Sequence, residues 1–174
     1  MSRWRAPQPK SSPYITADGL VRLKAELKQL WVDRREVVAA LSAAAAEGDR
    51  SENAEYIYRK KQLREMDRRI RYLTRRIDEV VPVSGRPSNP DKVYFGAQVT
   101  VDDVDSGEFG YRIVGADEID PGRNWISVDS PLARALLGKS LGQEIAVETP
   151  AGVRQLVIDE ISYGADDSGS GVES

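Results

Sequence analysis

The sequence predicts an α+β protein: an N-terminal antiparallel α-helical coiled-coil hairpin, then a small antiparallel β-sheet domain with one short helix. Three observations predict it. Apolar residues recur at 3-4-3-4 spacing in two long matched segments, the mark of paired helical seams. After residue 92 the apolar period falls to two, the mark of strands. Between them lies VSGRPSNPDK, with two prolines, a glycine and two serines, which reads as a linker. The expected organisation is an unstructured extension over 1–15, a hairpin over 16–82, the linker over 83–92, the sheet domain over 93–163 and a mobile acidic tail over 164–174.

Residues 1–15 are rich in Pro and Ser and have no apolar period, so no packing is expected. Thr16 is a suitable helix N-cap, with Asp18 in the first turn. The first seam runs Leu20, Leu23, Leu27, Leu30, passes through Arg34, and resumes at Val37, Leu41 and Ala44. Ala39, Ala40 and the four alanines at 43–46 favour helix and keep that end thin. Gly48 stands where a helix C-terminus favours glycine. The second seam is Tyr56, Arg59, Leu63, Met66, Ile70, Leu73, Ile77 and Val80. Two matched seams joined by a few residues imply an antiparallel coiled coil. At 1.5 Å per residue its arms are about 40 Å long. In the second half, 98–104 and 109–114 read as strands across a turn at Asp105, Ser106 and Gly107, with a short third at 125–128. Ser130 and Pro131 begin a short helix that Gly138 ends, and 144–148 with 153–161 form another hairpin.

Composition narrows the chemistry. With 40% apolar content in 174 residues the chain can bury a core. No apolar run approaches the ~20 residues of a membrane span, so no membrane partner is expected. The first residues lack a signal core, and the expected location is cytoplasmic. There is no cysteine and no histidine, so thiolate metal sites and imidazole bases are excluded. Any catalysis falls to carboxylates, Lys, Tyr, hydroxyls or a borrowed metal. Charge is segregated: residues 59–76 carry nine basic and two acidic residues, whereas 93–163 carry five basic and twelve acidic. Such asymmetry suggests a polyanion partner for the basic helix; a solvated helix face is the plainer reading.

The junction of the helices reads GDRSENAEY, residues 48–56. It is polar, small and acidic, unlike a tip meant for burial. Asp49 can cap the second helix, with Glu52 three residues on completing a capping-box-like pair, and Ser51 is a second cap candidate. Alternatively Asp49 and Glu52, within one turn, can offer oxygen ligands to one divalent ion. Two carboxylates plus water suit Mg²⁺, but too weakly to hold the ion alone. Both readings fit the same residues.

This tip, the segment TADGLVRLKAELKQL before it, the helix YRKKQLREMDRRIRYLTRRI after it and the later SPLARALLGKSLGQE occur in order across 16–163. Together they resemble the Gre transcript cleavage factors of bacterial RNA polymerase, the second helix being closer to the GreB branch than to GreA. The resemblance implies an FKBP-like second domain that docks at the mouth of the polymerase secondary channel. It implies a coiled coil inserted through that channel to the active centre. There the factor stimulates cleavage of backtracked nascent RNA by the polymerase itself, so the chain is a factor and not an enzyme. The family's tip acids fall on Asp49 and Glu52, which would share a Mg²⁺ held by the polymerase; Asn53 and Tyr56 fall on the same motif as tip-supporting residues. The basic face of Arg59, Lys60, Arg64, Arg68 and Arg71 would then attract extruded RNA. A monomer is expected, and the chain alone should bind no metal tightly.

Three rivals differ in class. A channel-binding inhibitor would share the fold with a different acidic tip. An FKBP-like prolyl isomerase with a coiled-coil arm would need a pocket of clustered aromatics, for which Phe109, Tyr111 and Trp125 are few. A plain adaptor with a basic face would leave the tip acids without a purpose.

Overall fold

The computed structural model describes residues 9–48 and 52–164. They divide into two compact units, one within Asp18–Val80 and the other combining the described chain before it with that from Val81 onward. The first is two long helices, α1 (Ala17–Ala46) and α2 (Ala54–Glu79). Every predicted seam position is buried or half-buried, from Leu20 to Ala44 on α1 and from Tyr56 to Val80 on α2. Between them lie mostly exposed residues, polar for the most part but with Val21, Trp31, Val32, Ile57 and Tyr58 among them, the pattern of helices shielded along one stripe.

Three bonded residue pairs across the helices fix an antiparallel register. Arg69 grips Glu26 with two nitrogens at 2.7 and 3.0 Å. Further along, the Arg34 Nε reaches Asp67 at 2.7 Å, and beyond it the Asn53 amide donates to the Ala44 carbonyl at 2.8 Å. As the partner number rises on α1 it falls on α2. The apolar seam skips at Arg34, which is half-buried and bonded to Asp67; that bond raises its pKa above the ordinary arginine value. A paired charge at a seam position favours one register over its neighbours.

The second unit holds a two-stranded sheet and a five-stranded sheet. The small sheet pairs β1 (Tyr14–Thr16) with β2 (Val81–Val83) in parallel. The large sheet contains β3 (Gln98–Asp103), β4 (Gly107–Val114), β5 (Trp125–Ser127), β6 (Glu144–Thr149) and β7 (Gly152–Ser162). Their order is β5-β4-β3-β7-β6. Alternation along β3 points Val99 and Val101 inward, and β6 and β7 do the same with Ile145, Val147, Leu156 and Ile158. The single short helix α3 (Pro131–Leu136), capped by the Ser130 hydroxyl on the Ala133 amide at 3.2 Å, adds Ala133 and Leu136 to this core.

Four features differ from the sequence expectation. Residues 14 and 15, expected in an unstructured extension, are strand: Ile15 is buried, and the Val81 amide donates to the Pro13 carbonyl at 2.8 Å. Thr16, just before α1, has a tertiary role that the sequence expectation did not contain. Its amide and hydroxyl both donate to the buried Glu118 carboxylate, which also takes the Gly115 amide at 2.9 Å. The linker expected over 83–92 is trimmed at both ends, because Val83 belongs to β2 and Lys92 bridges Ser140. Finally, the large sheet is not wholly antiparallel. The connection from β4 to β5, with its 3₁₀ turn at Pro121–Arg123, is long enough to bring the chain back, and β5 pairs in parallel. The expected extension over residues 1–8 and the tail over 165–174 lie outside the described residues.

Candidate functional site at the hairpin junction

α1 ends at Ala46 because the chain turns there: Gly48 has φ of 130°, which a side-chain-bearing residue rarely adopts. Asp49 and Ser51 lie outside the described residues. Glu52 follows them, exposed, one position before the cap of α2. That cap is Asn53. Its backbone is extended, with φ −84° and ψ 101°, and its side-chain oxygen accepts from the Tyr56 amide at 3.1 Å. The first helical bond runs from Ile57 N to Asn53 O at 3.1 Å.

This corrects the capping assignment. The expected cap at Asp49 with Glu52 as its boxed partner would start α2 several residues earlier. Residue three after the true cap is Tyr56, so there is no capping box, and Glu52 is not needed to start the helix. Asparagine is among the strongest N-cap residues, so residue type alone could have pointed to Asn53. Glu55, in the first turn of α2, complements the helix dipole and pairs with Arg59 at 2.7 Å. Tyr56 is half-buried, with the Lys60 ammonium 5.8 Å from its ring centre.

The predicted basic face separates into two groups. Lys60, Arg64, Arg68 and Arg71 are all exposed. Lys61, Arg64, Arg68, Arg71 and Arg75 follow 3-4-3-4 spacing, and Lys60 lies one turn before Arg64, so one side of α2 carries a continuous cationic stripe. Arg59 is not brought to it. It occupies the seam row, half-buried, with Nε on Glu55 and an Nη on Gln62 at 3.1 Å. Lys61 and Arg75 belong to the stripe by the same spacing, which the sequence already contained.

Elsewhere the second unit offers less chemistry. An open cleft of about 560 Å³ lies between the β3–β4 and β6–β7 turns, lined by Asp103, Phe109, Pro150 and Arg154 among others. Its buried Asp103 accepts from the Asp105 amide at 2.9 Å and from Arg154 at 2.6 Å. Those bonds, the amide foremost, hold its carboxyl below the ordinary range. Among the described residues no cluster of three or more His, Cys, Asp or Glu side chains is placed to hold a metal. No described helix is long and apolar enough to cross a membrane.

Comparison with known proteins covers both units. The family described as transcription elongation factor, GreA/GreB, C-terminal, matches residues 87–163, and the transcription elongation factor N-terminal family matches 13–81. A transcription elongation factor GreB of Xanthomonas axonopodis pv. citri is 57% identical over 167 residues, spanning 95% of this chain and 99% of its own. One of the same name from Pseudomonas aeruginosa is 54% identical over 164 residues, spanning 94% and 98%. A solved prokaryotic transcription elongation factor GreA/GreB from Nitrosomonas europaea aligns with a TM-score of 0.40 at 23% identity, over 87% of this chain and all of that one.

Proposed function

The chain belongs to the GreA/GreB family of transcription elongation factors, and we propose that it is a transcript cleavage factor acting through the helical hairpin. In this reading the hairpin enters the secondary channel of bacterial RNA polymerase. The polymerase, and not this chain, then hydrolyses the backtracked nascent RNA whose 3′ end has been extruded there. The new 3′ end lies in register and synthesis resumes.

The observation that supports this reading most is the division of labour at the tip. Helix capping is done by Asn53, which leaves the exposed Glu52 carboxylate without a structural duty in starting α2. Asp49 and Glu52 would then offer oxygen ligands to a Mg²⁺ in the polymerase active centre and orient the attacking water. Carboxylates are the donors such an ion takes, and two are too few to hold it alone. The ion, when bound, supplies an acidified water and charge stabilisation for phosphodiester hydrolysis. The stripe of Lys60, Arg64, Arg68 and Arg71 would attract the phosphates of the extruded strand. Arg59, engaged by Glu55 and Gln62, is left out of that role.

The test is to add the protein to a stalled, backtracked elongation complex with Mg²⁺. Shortened RNA that can be re-extended is expected, together with no cleavage of free RNA by the protein alone. Failure to shorten the transcript, or cleavage without polymerase by a nuclease-free preparation, would refute the reading.

A further inference from the structure

We propose that Asn53 is the positioning residue of the tip: a single side chain that starts α2 and fastens the end of α1, immediately beside Glu52. The inference rests on the cleavage-factor reading above.

Its basis is a pair of bonds. Asn53 Oδ1 accepts from the Tyr56 amide at 3.1 Å, and Nδ2 donates to the Ala44 carbonyl at 2.8 Å. Only one orientation of the amide satisfies both partners, because a backbone N–H needs an acceptor and a carbonyl needs a donor. The Ala44 carbonyl is among the last four of α1, which have no partner within the helix. Its other recorded donor, Glu47 N, stands at 3.3 Å, longer than the Asn53 contact.

Capping alone does not call for asparagine. Serine and aspartate cap about as well, each with one accepting oxygen aimed at the same amide. What they lack is a donor that also reaches the preceding helix: aspartate has none, and the serine hydroxyl is too short. The choice of asparagine is explained by the second bond.

That bond has a consequence for the residues it encloses. The eight residues 45–52 lie between the joined positions, and both proposed metal-binding acids are among them. Tying Ala44 to Asn53 fixes the two ends between which these residues run, and a connection with fixed ends has fewer conformations open to it. Glu52 is bonded covalently to the clamp residue itself. Positioning groups for a metal-assisted hydrolysis is a rate effect, because a small misplacement lowers the fraction of productive encounters.

The experiment compares Asn53→Asp and Asn53→Ser with wild type and with Asn53→Ala. Asp and Ser keep the cap and remove the reach to Ala44; the two differ in charge, so a shared effect is not electrostatic. Two readouts are taken. Amide hydrogen exchange on the isolated protein should show the Glu47 amide, which shares the Ala44 carbonyl with Asn53, exchanging faster in both variants while the Tyr56 amide stays protected. Cleavage of a backtracked complex should fall roughly fivefold to tenfold at saturating factor, the size one net hydrogen bond carries, with the half-saturating concentration unchanged within about twofold. Asn53→Ala should lose both the Glu47 and the Tyr56 protection. Unchanged Glu47 exchange in the Asp and Ser variants overturns the clamp. So does wild-type maximal cleavage in both, or a loss explained wholly by weaker binding. A wild-type chain that shortens no RNA refutes the functional reading instead, and the exchange data separate the two failures.

Discussion

A single methyl group at Gly115 tests how the N-terminal strand is held. Gly115 follows β4, and a Cβ built there would stand 2.4 Å from the Tyr14 carbonyl oxygen, 3.1 Å from Glu118 Oε2 and 3.3 Å from the Ile15 Cα. The first and third neighbours are backbone, so no rotamer change can relieve them. The gap must open by about 0.6 Å to reach even 3.0 Å, the nearest approach real Cβ atoms make. Opening it stretches the shared oxygen that takes both Thr16 N at 3.0 Å and Gly115 N at 2.9 Å. Overpacking costs about 1–3 kcal/mol and a weakened buried hydrogen bond about 1 more, so Gly115→Ala should destabilise by roughly 2–4 kcal/mol. For a chain of this size that is a fall in Tm of roughly 5–15 °C. The control is Gly110→Ala on β4, whose Cβ would meet only the Gln98 side chain, at 3.3 Å. That substitution should change stability by less than about 1 kcal/mol, since the longer side chain can move and the unfolded chain loses freedom. Both are read by urea unfolding followed by circular dichroism and tryptophan fluorescence. If Gly115→Ala were as stable as wild type, or Gly110→Ala equally damaging, the close approach of Tyr14 to Gly115 would be wrong.

Three further outcomes are expected. Asp49→Asn and Glu52→Gln should each abolish most transcript cleavage while polymerase binding persists, and Glu52→Gln should leave the melting curve within about 0.5 kcal/mol, because Asn53 caps the helix; cleavage at wild-type rates would end the metal-ligand reading. Reversing Arg64 and Arg68 to Glu should impair cleavage of deeply backtracked complexes more than shallow ones, with the gap shrinking as salt rises, whereas Arg59→Ala should show no such preference; equal loss on both substrates would point to contact with polymerase. In the sheet, the Asp103 carboxyl is held below its ordinary value, so its contribution to stability is present above the unfolded value of about 3.9 and is lost as pH falls through the lower folded value. Asp103→Asn should therefore be less stable than wild type at neutral pH, and urea midpoints measured from pH 7 downward should converge in acid; a constant gap would show that the charge is not what matters.

Much of the architecture was legible because it is written in local periods. The spacing of Leu20 through Ala44 and of Tyr56 through Val80 repeats the turn of a helix, and every one of those residues is shielded on α1 and α2. The alternation over 98–104 and 153–161 repeats the pleat of a strand, and β3 and β7 lie there. Ser130, Pro131 and Gly138 bracket the short helix as their capping chemistry requires. The tip was legible as a tip for the same reason: a polar stretch with a glycine between two helical patterns can only be a reversal.

What the local pattern left open was which partner each group would find. Asp49, Ser51 and Asn53 are all able caps in sequence; α2 begins after Asn53, where one amide can serve Tyr56 and Ala44 together. Arg59 reads as one more cation in a basic run, yet its place in the seam row turns it to Glu55 and Gln62 and away from the stripe. Tyr14 to Thr16 carry too few residues for any period to show, and they become a strand only because Val81 to Val83, far along the chain, present unpaired backbone beside them. Thr16, Gly115 and Glu118 meet across a hundred residues for the same reason: buried N–H groups must be satisfied, and only the folded chain determines which carboxylate is near enough to do it.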